Sequence, residues 1–208
     1  MKLFYAPGTI AMASLIAFCE ANAKFETIRL NFYEKEQTKQ NYLSINPKGR
    51  VPALVTDQGI ITETPAILTY VAHTHPDAKL IPNDPFKCAK MNEILCYLAS
   101  TVHVNHAHKM RGHRWANKTS SFEDMTAKVA ENMAENFKLI EETLQQGPWV
   151  LGDEYSLADI HLYIITSWLE GDGVPRSTVP NVKAHFAAMN TRAAVQKALE
   201  IAGESKSY

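Results

Sequence analysis

Two short stretches hold side chains whose type and spacing suit the binding of a small charged molecule. In ITETPAIL, residues 61–68, Glu63 and Thr64 directly precede Pro65, and a proline suits the first turn of a helix because its missing N–H is one the helix cannot use. A helix start there carries unpaired N–H donors and roughly half a positive charge, which stabilises a carboxylate by about 0.3–2 kcal/mol. Thr64 could equally spend its hydroxyl on capping that helix, the commoner use of such a residue. In NPKGRVPAL, residues 46–54, Pro52 stands where a strand should begin, although a proline inside a strand removes a ladder donor. If Val51–Pro52 is cis, the N–H and C=O of Val51 are left to pair with an extended peptide. If it is trans, as most such bonds are, Pro52 simply starts an edge strand.

Two other stretches carry weaker signals. SLADI, 156–160, followed by His161, has the residue types of an acid–base site, but Ser156 and Asp159 have the spacing of a capping box with Asp in place of Glu. Tyr155 and Ile160 suit the accompanying hydrophobic staple, and loss of such a cap costs about 0.5–2 kcal/mol. HVNHAHKMRGH, 103–113, puts His103, His106, His108 and His113 in one helix, with His103 and His106 three residues apart on one face. No cysteine or carboxylate is interleaved, so a polar pocket wall or a solvated helix end is expected there and no metal. Cys96, one heptad before His103, is expected to be a buried, inert thiol.

These side chains need elements to hold them. KLFY (2–5) and the alternating FETIRL (25–30) are expected strands around a helix over 10–23, on which Ile10, Ser14, Ala17 and Ala21 share a face. TKQNYLSIN is a short, weak helix. VPALVT and GIIT form a hairpin across Asp57–Gly59, and a helix follows with Pro65 as its first residue. HPDAKLIPNDP, 75–85, holds three prolines and two aspartates and has the composition of a linker. The domains are therefore expected at 1–77 and 86–208, with 78–85 between them. Beyond the linker the pattern is helical: 86–111, 122–146 with Met125, Val129, Met133, Phe137, Ile140 and Leu144 in line, then 156–170, 180–189 and 191–201. A four-stranded mixed sheet with flanking helices is the thioredoxin-like arrangement, so the fold class expected is an α/β thioredoxin-like N-terminal domain followed by an all-α C-terminal domain.

Composition narrows the partners. The chain has 208 residues, 46% of them apolar, and a net charge of −1, which gives no electrostatic case for nucleic acid or a membrane surface. No segment reaches the ~20 apolar residues of a membrane-spanning helix. Pro7 and Gly8 interrupt the apolar opening and Glu20 follows it closely, so a strand, turn and helix fit better than a signal peptide. Three widely spaced cysteines without a Cys-x-x-Cys encode no disulfide framework, and a reducing cytoplasm is the default compartment.

Taken together, KLFYAPGTIAMAS, NPKGRVPAL, ETPAIL and GPWVLGDEYSLADIHLY resemble the glutathione transferase superfamily, in order and spacing, over nearly the whole chain. The opening and LASTVHV (98–104) are most similar to the bacterial beta class. The resemblance implies a thioredoxin-like domain binding glutathione as co-substrate, a helical domain completing an electrophile pocket, no metal, and a homodimer. Val51 would hold the cysteinyl backbone ahead of a cis Pro52, Glu63 would face the γ-glutamyl ammonium, and Thr64 with helix amides its carboxylate. Lys35 falls where this class reaches the glycyl carboxylate, and His103 where the helical domain supplies a contact. Ile10, His106, Met110 and Trp168 would wall the electrophile.

One residue departs from the beta class, which keeps a cysteine two positions after Pro-Gly where this chain has Ile10. Without that thiol no mixed disulfide forms there, and glutathione must be activated non-covalently. Thr9, beside the first helix start, is the first candidate for this and Tyr5 the second, as other classes use a Ser or a Tyr. The function expected is conjugation of the glutathione thiolate to small apolar electrophiles in detoxification. The alternatives are a glutathione-dependent isomerase or peroxidase, or a non-catalytic glutathione-binding module, which Ile10 favours.

Overall fold

The structure, a computed structural model, describes residues 1–144 and 147–203. Its elements are β1 (Lys2–Tyr5), α1 (Ala11–Glu20), β2 (Glu26–Arg29), α2 (Gln40–Leu43), β3 (Ala53–Val55), β4 (Ile60–Thr62), α3 (Thr64–Thr74), α4 (Pro85–Tyr97), α5 (His103–Arg111), α6 (Thr119–Thr143), α7 (Leu157–Ser167), α8 (Pro180–Thr191) and α9 (Ala193–Ala202). The described residues divide into two compact units: 1–81 together with 190–203, and Pro82–Met189.

The first unit is built on a four-stranded sheet in the order β2-β1-β3-β4. β1 and β2 run parallel, so the chain crosses over through α1, while β1–β3 and β3–β4 are antiparallel and close by a hairpin. Gly59, at φ 145, makes the hairpin turn, where Thr56 N–H and Oγ1 both donate to its carbonyl. Ala11 through Phe18 are all buried, which explains why α1 carries no charge until Glu20. The sheet, hairpin and helices fall where the alternation and proline signals predict.

The return of α9 to this unit was not expected, since the sequence pattern groups 191–201 with the helices before it. Its apolar line, Val195, Ala198 and Ala202, packs on α1. Polar clasps reinforce that packing: Arg192 makes a two-pronged pair with Glu20 at 2.6 and 3.0 Å, and Arg29 donates to the Ala202 carbonyl.

In the second unit the expected helix over 86–111 is helical throughout but changes winding, because Leu98–Val102 form a π-helical turn between α4 and α5. Asp84 caps α4 by accepting from Lys87 N at 2.8 Å. Met91, Leu95, Leu98 and Val102 form the buried line, and this register corrects the expectation for Cys96, which is turned outward and exposed. Cys19 and Cys88 are half-buried. On α6, Val129, Met133, Phe137, Ile140 and Leu144 are buried as the spacing predicts, and the expected end of that helix at 145–146 lies outside the described residues.

α7 opens with the predicted capping box. The Asp159 carboxylate accepts from Ser156 N, Ser156 Oγ and Val150 N at 2.8–3.2 Å, and His185 Nε2 lies 3.1 Å from it, all of it buried. His161 takes no part in this network. It is fully buried, both ring nitrogens lack a partner among the described residues, and burial pushes its pKa down to about 3, with the charge of His103 acting in the same direction.

Candidate functional site

In the first unit the loop before β3 is held from beneath. Buried Asn46 donates through Nδ2, and Tyr42 through its hydroxyl, to the carbonyl of Arg50, each at 2.6 Å. Asn46 Oδ1 also accepts from Lys48 N at 3.2 Å. This bracing presents Val51, whose bond to Pro52 is cis. Among the described residues neither the N–H nor the C=O of Val51 takes a backbone partner, so both are open to a ligand just ahead of β3.

Beyond the β3–β4 hairpin the chain turns into α3 through Glu63, whose φ of 75 is a costly left-handed conformation for a residue with a side chain. Glu63 occupies the cap position, and the helix start has no side-chain cap. Thr64 is therefore not the cap: it lies inside the first turn, 5% exposed, with Pro65 after it and no partner for its hydroxyl among the described residues. The consequence is a helix start with donors left for a ligand. Glu63 points outward and pairs with Lys48, which also donates to Thr62 Oγ1 at 2.6 Å. An acceptor for a cation, donors for an anion and the unpartnered backbone groups of Val51 thus come from the residues that flank the β3–β4 hairpin in the first unit.

In the second unit His106 and Trp168 come together. Their rings stack at 4.3 Å with 22° between planes, and His103 sits against the same indole at 5.1 Å. His106 Nδ1 is 2.6 Å from the buried carboxylate of Asp172. Among the described residues no group of three or more metal-binding side chains comes together.

Residues 1–73 match the glutathione S-transferase N-terminal domain and residues 93–193 the glutathione S-transferase C-terminal domain. A glutathione transferase homologue from Sulfitobacter, solved with bound glutathione, is 48% identical, with 98% of each chain covered and a TM-score of 0.94. The chain belongs to the glutathione S-transferase family. Glutathione S-transferase GstA of Escherichia coli O157:H7 is 29% identical over 98% of this chain and 99% of its own. A beta class glutathione S-transferase from Sphingomonas chungbukensis is 29% identical, with 99% of this chain and 100% of that one covered and a TM-score of 0.86.

As a glutathione S-transferase the chain presents Ile10 at the start of α1. Ile10 is buried and supplies no polar group. Thr9 Oγ1 donates to Ala6 O at 2.7 Å and accepts from Ala11 N at 3.3 Å, so its proton is engaged while the helix start behind it remains. The Tyr5 hydroxyl donates to the Ile201 carbonyl on α9 at 3.3 Å, so both candidate hydroxyls are engaged within the first unit. Cys19 does not replace the missing thiol. It sits at the other end of α1, and burial pushes its pKa up to about 11. Lys35 is exposed in a left-handed turn, and its carbonyl accepts from Thr38 N at 2.9 Å and Oγ1 at 2.8 Å. Met110, one helical turn after His106 on α5, is 74% exposed. Sequence reasoning missed Lys48, Tyr42, Asn46 and Asp172. Only Asn46 carried a signal, the turn-forming Asn46–Pro47 step.

Proposed function

We propose that this chain conjugates the thiolate of glutathione to small apolar electrophiles, as a cytoplasmic homodimer acting in detoxification. The observation that carries the reading is the uncapped start of α3, where Glu63 and Thr64 offer opposite polarity side by side. A γ-glutamyl group carries an ammonium and a carboxylate on one carbon and matches that pair. Glutathione bound to a Sulfitobacter relative of 48% identity supports the assignment. Val51 would take the cysteinyl backbone as an added strand, Lys35 the glycyl carboxylate, and His103 a further contact. Ile10, His106, Met110 and Trp168 would face the electrophile.

Activation of the thiol follows from the α1 start. A thiol of pKa ~8.5 is only a few per cent ionised at pH 7, and lowering it by two units takes about 2.7 kcal/mol of preference for the thiolate. The α1 dipole supplies part of this, and the Thr9 hydroxyl, exchanging Ala6 O for the sulfur, supplies a charge-assisted hydrogen bond. The test is twofold: initial rates with glutathione across aryl halides, enals, isothiocyanates and hydroperoxides, and the ultraviolet absorbance of bound thiolate against pH in the parent and Thr9→Ala. Saturable conjugation and a thiol pKa raised by the substitution are expected. Tight binding without turnover of any group points instead to a glutathione-binding module.

A further inference from the structure

Between Glu93 and Glu123 the chain carries no acidic residue, and near the end of that stretch Lys109, Arg111, Arg114 and Lys118 follow one another closely. The net charge of −1 describes the whole chain and hides this local excess. The second unit gathers it at the end of a helical hairpin. Asn105 Nδ2 donates to Asn136 Oδ1 at 3.0 Å, Thr126 Oγ1 to the Lys109 carbonyl at 3.1 Å, and a Cβ on Gly112 would come within 3.0 Å of Phe122. α5 and α6 therefore run antiparallel, and the chain reverses between them. Residues 113–115 and 117–120 are exposed at that reversal. Lys109 is engaged by Asp172 and the Gly171 carbonyl, so the charge at the tip is that of Arg111, Arg114 and Lys118. Trp115 stands among them and is 45% exposed. Its backbone N–H donates to the Gly112 carbonyl at 2.9 Å and its ring makes a T-shaped contact with His108 at 4.4 Å, which fixes the indole while leaving it half in water. Met110, on the last turn of α5, is exposed as well. Cations around an exposed indole are the combination that suits a bilayer interface, where the ring reaches the headgroup level and the cations meet anionic headgroups. Among the described residues no helix is long and apolar enough to cross a membrane, so such a contact rests on the surface.

We propose that the tip between α5 and α6 docks on an anionic lipid surface, with Trp115 entering the headgroup layer and Arg111, Arg114 and Lys118 facing the lipid phosphates. Charge complementarity decides that the partner is anionic, and shape decides that it is a lipid. A flat surface accepts a hairpin tip without a matching pocket. A nucleic acid needs a groove or stripe of cations that tracks its backbone, and here the stripe ends: the next charged residues along α6 are Glu123 and Asp124. Each cation near an anionic surface strengthens partition by about 5-fold, so three of them with one indole give a reversible attachment. It is salt-sensitive too, because exposed charges are screened over ~8 Å at physiological ionic strength. Arg114, Trp115 and Lys118 have no part in the glutathione site, so this proposal and the transferase reading fail separately.

The experiment is co-sedimentation at low salt with vesicles of phosphatidylcholine alone and of phosphatidylcholine mixed equally with phosphatidylglycerol. The full-length parent is compared with Trp115→Ser, Lys118→Ala and the double variant Arg114→Ala with Lys118→Ala. The parent should partition onto the mixed vesicles at least about 10-fold more strongly than onto the neutral ones, and ~1 M salt should release it. Lys118→Ala should weaken that partition about 5-fold and the double variant about 25-fold, at the parent's melting temperature. Vesicle binding should shift the parent's tryptophan emission to the blue, and Trp115→Ser should abolish the shift although Trp149 and Trp168 remain. Partition that does not differ between the two lipids, charge variants that bind like the parent, or a blue shift that survives Trp115→Ser would each overturn the proposal. So would an RNA oligonucleotide that binds the parent more tightly than the mixed vesicles do and loses affinity in the same variants, because the tip would then belong to nucleic acid.

Discussion

Two helix starts in this molecule solve the same problem in opposite ways. α7 begins with free N–H donors and a partial positive charge, and the chain consumes both: Ser156 and Asp159 close the capping box while Val150 and His185 fill what remains of the carboxylate. α3 begins with the same donors and leaves them. Its cap residue, Glu63, is twisted to φ 75 and turned outward, with Thr64 behind it. Donors that the chain satisfies itself stabilise the fold, and donors it leaves open are available to a ligand. The contrast therefore predicts that damage to α7 appears as instability and damage to α3 as lost affinity.

The largest effect belongs to Asp159→Ala. It removes the acceptor for three N–H or O–H donors and the carboxylate beside His185, all buried, so the loss exceeds an ordinary cap and reaches ~3–5 kcal/mol. Calorimetric melting should fall by roughly 10 °C, with turnover per folded molecule within about two-fold of the parent. Preserved melting with lost turnover would reverse the roles of the two helix starts. Next comes Glu63→Gly, which should weaken glutathione binding by about 10–100-fold, the worth of a charge-assisted hydrogen bond, measured by titration calorimetry. Its melting temperature should hold or rise, because glycine adopts the φ of 75 without steric cost.

A smaller effect follows from His161, which is kept neutral by burial. The unfolded chain binds its proton near pH 6.5 and the folded chain only near 3, so stability is unaffected above pH 6.5 and is lost as pH falls through that window. His161→Leu should therefore show a shallower fall of melting temperature between about pH 7 and 5 than the parent does. An unchanged slope would mean that the imidazole gains a partner on acidification. The smallest effect is expected for Lys48→Ala. Its pair with Glu63 is exposed on both sides, and such pairs contribute about 0–1 kcal/mol, so glutathione affinity should shift less than about five-fold. A larger loss would place Lys48 on the ligand.

How much was legible depended on sequence distance. The strands, the hairpin and the capping box are local patterns, and each stands where its own few residues indicate. The pairing of α9 with α1 is not local: Val195, Ala198 and Ala202 make an apolar face that would suit either unit, and the ties of Arg192 to Glu20, Arg29 to Ala202 and Tyr5 to Ile201 select the first. Lys48 reaches Glu63 across 15 positions and His106 reaches Asp172 across 66, separations at which periodicity carries no information. Cys96 was misplaced for a related reason. Counting one heptad back from His103 assumes regular winding, and the π-helical turn between them breaks the register.

The central claim is that the open start of α3 receives the γ-glutamyl end of glutathione. It is tested most directly by a cycle of calorimetric affinities: glutathione and cysteinylglycine, each titrated into the parent and into Glu63→Ala. Removing the γ-glutamyl group should cost the parent far more than it costs the variant, with a coupling of at least ~1.5 kcal/mol between ligand group and side chain. The same penalty in both proteins would contradict it, because Glu63 and the γ-glutamyl group would then act independently.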